Sequence, residues 1–83
     1  IAGGEDKDRE AMEQLLSLRW SIAHSEGLGW KKIGNIFSRK TIKEMVKNKP
    51  KNLDEMLEIY GVGPIKLEKY GQQFLDVLKD VFH

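Results

Sequence analysis

Apolar residues recur at three- and four-residue intervals along most of this chain, and nowhere do they alternate as in a strand. Over residues 9–25, Met12, Leu15, Leu16, Arg19, Ile22 and Ala23 share one stripe, which predicts a long amphipathic helix ended by Gly27 and Gly29. Arg19 on that stripe reads as an aliphatic stem laid over the core edge. Trp20 and His24, four residues apart, read as a surface pair. Residues 28–37 lack a helical period but carry Trp30, Ile33, Ile36 and Phe37, so a loop pressed onto the other helices is expected. Ser38 is suited to cap a second helix running to about Asn48. Its Ile42, Met45 and Val46 face inward, Lys40, Lys43 and Lys47 line an outer face, and Pro50 closes it.

The next stretch carries the densest local signals. Asn52 is an N-cap, Glu55 completes a capping box, and Leu53, Met56, Leu57 and Tyr60 recur at helical spacing. Gly61 is expected to end that helix in the left-handed conformation, and Pro64 to start the next. A last helix from about Gln72 buries Phe74, Leu75, Leu78, Val81 and Phe82. The predicted fold is all-α: a compact five-helix bundle containing a helix-hairpin-helix-like Gly-Val-Gly-Pro turn. Residues 1–8, with two glycines and four charges, are expected to be a disordered lead-in or a vector remnant ahead of a single domain over 9–83. A start at Ile1 rather than methionine suggests a piece of a larger parent protein.

Length and composition narrow the function. A chain of 83 residues has no room for a second lobe around a deep substrate cleft. There is no cysteine, hence no disulfide or thiolate metal site, and no apolar run of membrane-spanning length. The net charge of +1 conceals a strong asymmetry. Residues 27–51 hold eight basic groups against Glu44 alone, whereas the segments on either side are each net negative by three. Such a run is often only a solvated face, but here it directly precedes a turn suited to phosphate, which points to nucleic acid.

No catalytic constellation is visible. The two histidines have neither nucleophile nor metal spacing, and no phosphate-binding loop of the Walker or dinucleotide type occurs. The Gly-Val-Gly turn has two readings. It is either pure geometry, or the amides of Val62, Gly63 and Ile65 form an anion site, with Lys66 and Lys69 as flanking positive charges. Trp30, beside Lys31 and Lys32, is likewise either a core anchor or a stacking platform for a base.

The run Ile36-Phe37-Ser38, then Ile42, Lys49-Pro50-Lys51-Asn52-Leu53-Asp54-Glu55-Met56-Leu57, Ile59, Gly61-Val62-Gly63-Pro64, Lys66-Leu67, Tyr70-Gly71 and Phe74-Leu75 resembles the HRDC domain (helicase and RNase D C-terminal) over about residues 10–82. This chain departs from the family pattern in three places. Arg39-Lys40 stand where an acidic or small residue is usual, the loop after the first helix is longer, and the customary Trp-Arg pair appears as Leu18-Arg19.

The resemblance implies a five-helix globule attached to RecQ-type or related bacterial DNA helicases, or to RNase D-like exonucleases, with a non-catalytic role in positioning nucleic acid. It implies no cofactor in the domain itself, ATP and Mg for a helicase parent, and an intracellular setting. The residues and the resemblance together give a nucleic-acid surface of Lys31, Lys32, Arg39, Lys40, Lys43, Gly61, Gly63, Lys66 and Lys69, with Trp30 for stacking. The expected partner is single-stranded or junction DNA, with docking to the helicase core as a further partner and a monomeric state. The alternatives are an RNA-positioning domain of an exonuclease and a protein-docking module.

Overall fold

The computed structural model describes residues 2–27 and 36–82, with the side chains of 6–27 and 36–82. Trp30, Lys31 and Lys32, as well as Gly29 and Ile33, lie outside the described residues. The elements are α1 (Ala2–Ser25), α2 (Arg39–Asn48), α3 (Leu53–Leu57), α4 (Pro64–Lys66) and α5 (Gln72–Phe82), with a π-helical turn at Leu67–Gly71 between the last two. Among the described residues there is no strand, so the all-α five-helix expectation holds.

Several boundaries differ from the sequence reading, each for a local reason. Helix α1 begins at Ala2, ahead of the start at about residue 9 read from the sequence. Asp6 and Asp8 place negative charge near its N-terminus, where the helix dipole favours it. Asp8 also approaches Lys49, at 3.8 Å. Helix α3 stops at Leu57, capped by Glu58, and not at Tyr60. Residues 58–61 instead form a chain of tight turns, in which the Ile59 amide donates to the Met56 carbonyl and the Val62 amide to the Ile59 carbonyl. Finally, α4 runs into α5 without a loop, because the π turn carries the backbone through Tyr70 and Gly71.

The core lies between α1, α2 and α5. Phe37, fully buried, sets its ring edge-on against Phe74 (4.9 Å between centroids) and Tyr70 (6.3 Å). Around these rings sit Leu15, Ile36, Ile42, Met45, Met56 and Leu78, all without solvent exposure. Val81 and Phe82, expected inside, are half-buried at the end of α5. The Tyr70 hydroxyl donates to the Glu26 carboxylate (3.0 Å), tying the π turn to the end of α1. Burial first, and this carboxylate second, raise the Tyr70 pKa above its usual value. Trp20 and His24 do pair on the surface of α1, stacked at 5.1 Å.

Candidate nucleic-acid interface

The basic face is built by α2. Ser38 caps it, its Oγ accepting from the Thr41 amide at 3.2 Å, and the Lys49 amide closes the other end on the Met45 carbonyl, Lys49 itself being left-handed. Burial of Thr41, Ile42, Met45 and Val46 fixes the rotation of this helix. Arg39, Lys40, Lys43 and Lys47 consequently face solvent. Behind them Arg19 crosses from α1, donating from Nη1 to the Phe37 carbonyl at 3.2 Å. Its pKa is lowered by burial and, secondarily, by the nearby Arg39 charge. Arg19 is therefore the packed stem expected from sequence, and it also adds a positive charge beside Arg39.

The glycine–proline turn rests against the start of this helix. Gly61 has φ +85° and lies so close to Thr41 that an added Cβ would collide with its hydroxyl. Gly63 is the N-cap of α4, with extended backbone, no capping side chain and open space around its Cα. The anion cradle is smaller than the sequence suggests, because the Val62 amide is consumed by the Ile59 carbonyl. Gly63 and Ile65 remain as the amides at the uncapped start. Lys66, half-buried, ends α4, and Lys69, exposed, lies in the π turn. Asn52 caps α3 through the Glu55 amide (2.8 Å), while the Glu55 carboxylate reaches the amide of Lys51, one residue beyond the expected capping-box partner.

The structure thus joins two of the groups that the sequence singles out. The start of α2 adjoins the 61–64 turn through the packing of Thr41 on Gly61 and through Lys40, whose Nζ stands 4.8 Å from the centroid of the Tyr60 ring; Arg39 and Lys43 follow on the exposed side of the same helix. Tyr60 itself is the residue that sequence reasoning missed. Helical spacing groups it with Leu53, Met56 and Leu57, yet it is 65 % exposed, and Leu57 and Leu53 are exposed to a lesser degree. Met56 in that group and Ile59 outside it are the buried residues. Among the described residues no helix is long and apolar enough to cross a membrane, and no group of His, Asp and Glu is placed to hold a metal ion.

Comparison with known proteins places this geometry in a lineage. The family model for the HRDC domain matches residues 8–78. The ATP-dependent DNA helicase RecQ of Haemophilus influenzae is 35 % identical over 78 residues, covering 94 % of this chain and 12 % of that protein. The protein of the same name from Bacillus subtilis is 40 % identical over 70 residues, 84 % of this chain and 11 % of the relative. The ATP-dependent DNA helicase Q-like 4B of Arabidopsis thaliana is 39 % identical over 44 residues, 53 % of this chain and 4 % of that protein. The chain therefore spans only about a tenth of the length of its bacterial relatives. No solved structure matches it.

Proposed function

This chain belongs to the HRDC domain family, and on that premise we propose that it is an accessory, non-catalytic domain of a larger DNA helicase that holds single-stranded or junction DNA by its phosphates. The observation that supports this reading is the packing of Thr41 of α2 on Gly61, with the Lys40 ammonium over the Tyr60 ring, which sets the start of the outward basic row of α2 beside the turn. The helicase setting is favoured over an exonuclease because the relatives are named as DNA helicases. Lysine and arginine side chains reading a phosphate backbone give modest, sequence-independent affinity. ATP and Mg belong, on this reading, to the motor part of the parent protein.

The test is a titration of the chain against a single-stranded oligonucleotide at several salt concentrations. Neutralisation of about four phosphates predicts a log–log slope near −3, from roughly 0.7 per contact on a single strand. The Lys40→Glu/Lys43→Glu double variant should lower the affinity at low salt by about tenfold or more while its melting curve stays that of the parent chain, since both side chains face solvent. Absence of binding at low salt, or binding indifferent to salt, sinks the reading.

A further inference from the structure

Tyr60 stands at the lip of a groove of about 650 Å³ between α2 and α3, lined also by Lys40, Glu44, Glu55, Glu58 and Ile59. We propose that Tyr60 and this groove form a subsite for one unpaired nucleobase of a strand whose phosphates run along Arg39, Lys40 and Lys43. The inference rests on the phosphate-binding reading above and adds to it where a base goes.

Three features of the site support it. First, the backbone that presents this exposed ring is held in place. The residue before it (Ile59) and the second after it (Val62) are buried, and the intervening Gly61 is locked in a left-handed conformation against Thr41. An exposed tyrosine on a fixed backbone has only two side-chain torsions to order when a base stacks on it. Second, the Lys40 ammonium lies over the ring, so the same contact that holds the tyrosine also puts a phosphate-binding charge within one nucleotide of it. Third, beyond the ring and Lys40 the groove carries the opposite sign. Glu44, Glu55 and Glu58 repel a phosphodiester, so the backbone stays on the outer, lysine-bearing side of α2. A neutral base is free of that repulsion, and its amino groups can donate to such carboxylates. The change of sign across Tyr60 therefore sorts a nucleotide: phosphate to the α2 face, base to the groove.

The test compares two single strands of equal length, one of ordinary nucleotides and one of abasic residues, by fluorescence anisotropy with the full chain at low salt. Tyr60→Ala should weaken binding of the ordinary strand by about tenfold. The abasic strand should change by less than about twofold, and Tyr60→Phe should restore the ordinary strand. Equal weakening of both strands, or of neither, while Lys40→Glu/Lys43→Glu still weakens both, overturns the base subsite and leaves the phosphate surface standing. Failure of the parent chain to bind either strand overturns both proposals together.

Discussion

Helices α2 and α3 lie next to one another in sequence and use their apolar residues in opposite ways. Helix α2 buries Ile42, Met45 and Val46 and sends every basic side chain outward. Helix α3 buries only Met56 and leaves Leu53 and Leu57 partly in solvent. The difference is one of length. With nearly three turns, α2 has enough period for burial to choose a face. With five residues, α3 has barely more than one turn, and its caps and neighbouring turns place it instead. A charged surface can be read from sequence on the first kind of helix. On the second kind, apolar side chains become available for contacts other than the core.

The sharpest way to break this contrast is to truncate one apolar residue on each helix. Met45→Ala should cost about 2–4 kcal/mol in chemical denaturation, because it empties a fully buried site. Leu57→Ala, at an exposed site, should cost under about 1 kcal/mol. Equal losses would mean that α3 is anchored by its apolar side chains after all.

A smaller effect separates the two glycines of the turn. Gly61→Ala places a Cβ in a left-handed residue pressed against Thr41 and should cost about 2 kcal/mol or more. Gly63→Ala meets open space and extended backbone, and should cost about 0.5 kcal/mol. Thermal melts of the two variants decide it, and similar shifts would remove the geometric role assigned to Gly61.

The smallest test concerns the caps. Asn52→Ala and Ser38→Ala should each cost about 1 kcal/mol. Because α3 depends on its cap more than on burial, hydrogen exchange over 53–57 should quicken in Asn52→Ala more than exchange over 39–48 does in Ser38→Ala. The reverse order would count against a cap-placed α3.

These same contrasts explain what was legible beforehand. The faces of α2 and α5 follow from helical period, and the Ser38 and Asn52 caps follow from side-chain chemistry, so the outward lysines could be named from sequence. The buried anchors Ile36 and Phe37 could be named because solvent does not tolerate them in a loop. Tyr60 could not, since its spacing from Met56 and Leu57 has meaning only if the helix continues, and it stops three residues earlier. A hint was present in Gly61, whose left-handed conformation so close to Tyr60 is compatible with a turn as well as a helix end. The turn at Leu67–Gly71 was equally hidden, for no residue pattern marks an i to i+5 hydrogen-bond register. Gly71 is a trace of it: a Cβ there would press on Leu67 and reach Leu53.

That π turn has a mechanical consequence. Because it replaces a loop, residues 64–82 form one hydrogen-bonded rod, roughly 28 Å long at about 1.5 Å per residue. Tension applied at the glycine–proline end is not absorbed by a slack hinge. It passes down the rod into Phe74, Leu75 and Leu78, which are buried in the core, so a load on the turn is borne by the core packing.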